Sequence, residues 1–352
     1  MNKKIFFYAL AMLASMATSC NKDDDEQEIL TVPDEYIYVL NNGNWGSNDA
    51  SLTMLNLKDS AVTQEVFYKQ NGRHLGDLGQ DIIIHGSKMY ITVNGSSTIE
   101  VTDLDAKSIK QIKTEGMPHS LAAFGEKVYA TYMNGIVVRI DTASLEIDGT
   151  VAVGRNPEQM TVVDGKLYVA NTGGQDYNTE TGYDKTVSVV DIATFRELTK
   201  ITVHLNPRTI ISDNSGNVYV VSYGNYMDIP NKLQKIDTKT HTVTDLSAIV
   251  NGTYIATVGD ILYSIDAPWG GTAKYYSYNG ASNSLISDNF IGNTAISSPF
   301  SLSTDEESGE IYISTSDYVN NGDLYVFDKS GNPTLTFETG LNPMKAVRIK
   351  KQ

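Results

Sequence analysis

A turn, an apolar residue and a tyrosine opening an alternating strand recur seven times along this chain, and that recurrence limits its fold more than any other feature. The copies are GSKMYITVN (86–94), GEKVYATYMN (125–134), GKLYVAN (165–171), GNVYVVS (216–222), GDILYSID (259–266) and GEIYIST (309–315), with EYIYVLNNG from Glu35 as a copy that lacks the leading glycine. The aligned tyrosines, Tyr38, Tyr90, Tyr129, Tyr168, Tyr219, Tyr263 and Tyr312, stand 52, 39, 39, 51, 44 and 49 residues apart. A unit of that length cannot bury its apolar face alone and must stack on its neighbours. Each tyrosine strand is followed by a second strand closing on an acid or its amide: Asn56, Asp103, Asp141, Asp191, Asp237, Asn279 and Asp328. A further strand and a turn follow, and five of the turns carry a proline: Pro118, Pro157, Pro207, Pro299 and Pro343.

Short β-branched and aromatic strands between glycine or asparagine turns, with almost no segment of helical period, predict an all-β chain folded as one seven-bladed β-propeller over residues 33–352. The chain enters at the second strand of the first blade, which leaves that blade one strand short. The C-terminal KAVRIKK (345–351) is expected to complete it, closing the ring and removing the exposed sheet edges. GKLYVANTGG with TVSVVD resembles the extracytoplasmic propellers of the YVTN or surface-layer repeat type, a resemblance that implies the fold and not a function.

The first residues have another character. Lys3 and Lys4 precede the apolar run IFFYALAMLASMA and then Ala17-Thr18-Ser19-Cys20, the layout of an export signal too short to span a bilayer comfortably. Cys20 is the only cysteine, so an internal disulfide, a thiolate metal cluster and a cysteine redox pair are excluded. The segment resembles a lipoprotein signal peptide, which implies cleavage after residue 19, lipidation of Cys20 and an anchor in the outer membrane. The NKDDDE that follows opens an acidic, solvated tether over 20–32. A lysine and acids just after such a cysteine resemble the surface-export signal of Bacteroidetes lipoproteins, which implies display on the cell surface. Loss of the two leader lysines takes the formal charge from −15 to −17, an excess that repels phosphate backbones and excludes nucleic acid as the expected partner.

With strands lettered A to D from axis to rim, the B-to-C loops and the D-to-A connections of every blade emerge on one face. The spacing from the B-strand tyrosine to the C-strand acid runs from 12 residues in the third blade to 23 in the fourth, so this face carries the insertions and is the place to seek binding. Its B-to-C loops hold Asn44, Trp45, Asn94, Tyr132, Tyr177, Tyr183, Tyr223, Tyr226, Trp269 and Tyr318; its D-to-A connections hold His119, Arg155, Asn156, Gln159, Arg208, Tyr254, Phe300 and Asn342. Such loop aromatics can equally pack between blades. Gathered on one face, they are expected to form a bowl suited to a large, flat ligand decorated with amides or hydroxyls.

Catalytic patterns are missing: no Gly-x-Ser-x-Gly, no His-Glu-x-x-His and no phosphate-cradling glycine loop occurs. His74, His119 and His204 fall near D-to-A connections, where a funnel metal would need them to converge. The acids repeated once per blade are expected to stabilise turns. Asp59-Ser60-Ala61 and Asp141-Thr142-Ala143 resemble a short bacterial O-glycosylation signal.

NNGNWGSNDASLTMLN (41–56), the acidic lipoprotein start, the seven repeats and the aromatic bowl together resemble the surface propellers with which gut Bacteroidetes capture cobalamin. The resemblance implies a non-catalytic, monomeric lipoprotein that binds cobalamin or other corrinoids as ligand and hands them to a TonB-dependent outer-membrane transporter. Two other readings remain open at this point: a glycan-binding surface propeller, and a propeller hydrolase or lyase with a funnel metal.

Overall fold

In a computed structural model, which describes residues 30–268 and 270–351, twenty-eight strands run from β1 (Glu35–Asn41) to β28 (Pro343–Lys350) and form seven four-stranded antiparallel sheets. The sheets stand as the blades of a propeller. In the first, β28 pairs with β1, and β1 with β2 (Ser51–Asn56), which pairs with β3 (Val62–Thr63). Tyr38 of β1 stands opposite Val347 of β28 and Met54 of β2, so the C-terminal strand is the inner strand of the first blade and the ring has no open edge.

The repeated tyrosines hold the ring together. All seven are buried, and each enters an apolar cluster built with the blade that follows: Tyr90 with Val128 and Ala130, Tyr129 with Met160 and Leu167, Tyr168 with Ile210 and Val218, Tyr219 with Ile255 and Leu262. Tyr38, Tyr263 and Tyr312 act likewise, the last packing against Ile37 and Val39 across the closure. An alternating strand points one residue in two into each inter-blade layer, and a large ring there fills space that short aliphatics leave. The core is thus seven separate layers.

The acids at the third-strand ends sit on the opposite face from the insertions and accept backbone N–H groups of the next turn. Asp103 Oδ1 takes Asp105 and Lys107, Asp191 Oδ1 takes Thr194, Asp237 Oδ1 takes Lys239 and Thr240, and Asp328 Oδ1 takes Ser330 and Asn332, all at 2.8–2.9 Å. Asn56 and Asn279 accept in the same way. Each is an Asx turn, the reason an acid or amide recurs there. One element was not expected: the connection between the first two blades contains a helix, α1 (Val66–Asn71), ended by Gly72 in the left-handed conformation. Val66 and Phe67 of α1 bury themselves in the first inter-blade layer. Leu30 and Val32, at the end of the expected tether, also lie against that layer. Residues 1–29, with the expected signal peptide and Cys20, fall outside the described residues, as does Trp269.

Candidate functional site

The loops of the mouth are tied to one another by backbone. In the first blade Asn42 and Gly43 donate to the carbonyls of Asn342 and Leu341; in the fourth, Thr172 and Gly173 donate to Asn156 and Arg155; in the fifth, Tyr223 and Gly224 donate to Asn206 and Leu205. The accepting asparagine takes a left-handed φ of 45° to 62° in all three, a conformation asparagine tolerates better than most residues. Proline follows each and starts the inner strand.

Just past that point the register slips in six of the seven blades, at Gln80, His119–Ser120, Glu158–Gln159, Arg208, Phe300 and Met344. The second blade slips although glycine, Gly79, stands in place of the proline, while the inner strand of the sixth, which also lacks it, pairs without a shift from Tyr254 onward. A bulge re-aims the side chain it displaces, and here it brings residues of neighbouring blades into contact at the axis. Arg208 Nε donates to Glu158 Oε2 at 2.7 Å, and His119 Nε2 lies 3.9 Å from the same oxygen. Nearby, Lys345 Nζ donates to Asp81 Oδ1 at 2.7 Å while Ser120 Oγ and Leu121 N donate to Asp81 Oδ2. Burial lowers the pKa of His119, against the opposing pull of Glu158, and its Nδ1 is buried without a partner among the described residues. The carboxylate of Glu158, first among the causes, holds Arg208 well above the ordinary arginine value.

Above this floor runs an arc of rings. Tyr177 and Tyr183 lie 6.4 Å apart between centroids, Tyr183 and Tyr226 6.2 Å, and Tyr226 and Tyr223 6.0 Å. The Arg208 guanidinium sits 5.0 Å over the Tyr223 ring, and its Nη1 donates to Tyr226 Oη at 3.2 Å. Tyr223 Oη donates to Thr253 O, and burial pushes its pKa up to about 12. Burial likewise raises the pKa of Tyr254 of the next blade, and Phe300 packs edge-on to Tyr318 at 5.5 Å. Seven rings from four consecutive blades therefore follow one another around the mouth. Tyr177, Tyr226 and Tyr318 are exposed by 63%, 61% and 56%, too much for rings that serve only to cement blades.

Trp45 stands apart, 67% exposed at the tip of the first-blade loop. That loop is braced: Asn44 N donates to Asp49 Oδ1, and Gly46 N reaches both carboxylate oxygens of Asp77 at 3.0 Å. Gly43 is required at its base, because at φ +73° an added Cβ would stand 2.1 Å from Asp49 Oδ1.

Four residues expected on the open surface are buried instead, and the expectation of exposure is corrected for each. Tyr132 ends a second strand and lies in the layer with Tyr90. Asn94 donates to Pro118 O, Asn156 to Met133 O, and Asn342 to Gly43 O, each amide linking loops of the mouth rather than facing solvent. Arg155 is partly exposed but engaged, donating to Asp176 and to Gly182 O at 2.9 Å. Gln159 Oε1 accepts from Ile210 N. Glu158, missed from sequence, is the acid at the centre of the floor; it occupies the position after the proline that His119, Arg208 and Phe300 occupy in their own blades, the one regularity that points to it.

His204 Nε2 is bonded to Pro230 O, and His74 is exposed against Tyr68, so neither meets His119. Among the described residues no group of three or more His, Cys, Asp or Glu side chains is arranged to hold a metal ion.

No family model matches the chain, and no curated protein sequence does. Similar folds are found among solved structures. Kuenenia stuttgartiensis hydrazine synthase superposes with a TM-score of 0.58 at 17% identity, over 82% of this chain and 89% of that one. The computationally designed Ika8 protein gives 0.60 at 12% identity over 92% of each chain. A chain of the mitotic checkpoint complex gives 0.57 at 12%, over 100% of this chain and 90% of the other. An enzyme, a design and a cell-cycle assembly share the architecture, so the likeness establishes the β-propeller fold and nothing narrower.

Proposed function

We propose that this chain is a cell-surface lipoprotein that binds cobalamin or a related corrinoid across the insertion-bearing face and passes it to a TonB-dependent outer-membrane transporter, without catalysing a reaction. The observation that carries the reading is the arc from Tyr177 through Tyr183, Tyr226 and Tyr223 to Tyr254, Tyr318 and Phe300, with the guanidinium of Arg208 set against Tyr223 and Tyr226. A corrin is a broad disc with apolar faces and a fringe of amide arms. Exposed tyrosine rings offer it flat contact, and their hydroxyls, with loop backbone, offer the fringe hydrogen bonds. The paired backbone bonds that fix these loops lower the ordering cost of binding, so affinity need not be bought by rearrangement. The surface location rests on the leader and on the acidic stretch after Cys20.

Equilibrium dialysis of the mature protein against cyanocobalamin tests the reading. Retention of one equivalent supports it; no retention, with binding of a neutral oligosaccharide panel, replaces it by the glycan reading that the same exposed rings would serve.

A further inference from the structure

Resting on that reading, we infer that Arg208 is the subsite for the ligand's phosphodiester and thereby sets preference among corrinoids. Three contacts fix the guanidinium: Nε on Glu158 at 2.7 Å, Nη1 on Tyr226 Oη at 3.2 Å, and its flat face on Tyr223 at 5.0 Å. Nη2 makes no hydrogen bond among the described residues, and the side chain is 37% exposed. A cation held on three sides with a donor edge left over is prepared for an acceptor from outside, and arginine's planar fork matches a phosphate better than any point charge would.

Arg208 differs from the neighbouring cations in lying against the rings of the arc, over Tyr223 and on the hydroxyl of Tyr226. Arg155 is taken by Asp176, Asp184 and Gly182 O, and Lys345 by Asp81. Cobalamin offers one anionic group besides its neutral amides, the phosphodiester of the nucleotide loop. Arg208 lies where the aromatic arc meets the floor, so an anion there leaves the disc to lie against the rings. Glu158 occupies only the Nε edge of the guanidinium, which leaves the Nη2 donors facing an acceptor from outside.

The test compares cyanocobalamin with dicyanocobinamide, which keeps the corrin and lacks the phosphate-bearing loop, on the mature protein. Wild type should prefer cyanocobalamin, and Arg208→Met should shrink that preference by roughly tenfold or more, the scale of a charged hydrogen bond. Arg208→Lys should restore part of it. Because Arg208→Met leaves Glu158 buried and unpaired, the double variant Glu158→Gln/Arg208→Met is measured beside it, and the same loss of preference is expected there. Inorganic phosphate at millimolar concentration should weaken cyanocobalamin binding and leave dicyanocobinamide unaffected. Equal affinity of wild type for both corrinoids, an unchanged preference in the folded variants, or competition by phosphate against both overturns the inference and leaves corrinoid binding standing. Retention of neither corrinoid overturns both.

Discussion

Arg155 Nη1 reaches from the connection ahead of the fourth blade to the carbonyl of Gly182 at 2.9 Å and also donates to Asp176, so that one side chain ties together two points of the longest B-to-C loop of the mouth. Tyr177 follows the first anchor and Tyr183 follows the second. Arg155→Ala is therefore expected to loosen this loop: stability should change by no more than about 1 kcal/mol, as for other partly exposed ion pairs, while corrinoid dissociation quickens. Stopped-flow dissociation beside a thermal melt separates the two. A variant that loses stability with no change in dissociation would place the loop outside the site.

Gly224 opens the fifth-blade loop at φ +65°, and a Cβ there would stand 1.9 Å from Ile229 O. Gly224→Ala must move the segment that carries Tyr226. Ligand affinity is predicted to fall with the fold intact, a split that circular dichroism and dialysis on one sample detect.

The repeated tyrosines are not equivalent. Tyr219 Oη donates to the buried Asp213 Oδ2 at 2.7 Å, whereas Tyr90 Oη is buried without a partner among the described residues. Tyr219→Phe should cost about 1.5–3 kcal/mol, the range for a hydrogen bond to a charged group. Tyr90→Phe should be neutral or slightly stabilising, since it removes an unpaired buried hydroxyl. Urea denaturation of the two variants checks the contrast.

His119 makes stability depend on pH. Burial holds its pKa below the ordinary value, so between that lowered value and about 6.5 the unfolded chain binds a proton that the folded chain refuses. Stability from this group is complete above 6.5 and declines as the pH falls through the window. Melting temperatures measured from pH 7.5 down to 5 should fall more steeply for wild type than for His119→Asn; parallel profiles would contradict this.

Much of the architecture is readable in the sequence because it repeats. A tyrosine in every second strand fills an inter-blade layer, an Asx residue closes every third strand, and the strand deficit in the first blade requires Pro343–Lys350 to return to it. The mouth is harder to read, since loop position does not fix burial. Asn94, Asn156 and Asn342 lie in the expected loops, yet their amides satisfy carbonyls there, as buried polar groups must. Glu158 escaped notice because strand alternation alone does not direct it to the axis; the bulge after Pro157 does. Helix α1 is six residues long, too short for a helical period to stand out against strands.

The central claim is that one face of the ring holds a corrin against its tyrosines, and it is met most directly by titrating cyanocobalamin into the mature protein and into Tyr183→Ala/Tyr226→Ala while following the corrin absorbance. Saturation at one equivalent for the first and affinity lower by at least about tenfold for the second, as for loss of aromatic contacts at the centre of an interface, is the predicted result. Equal titrations for both proteins, or no saturation by either, would contradict it.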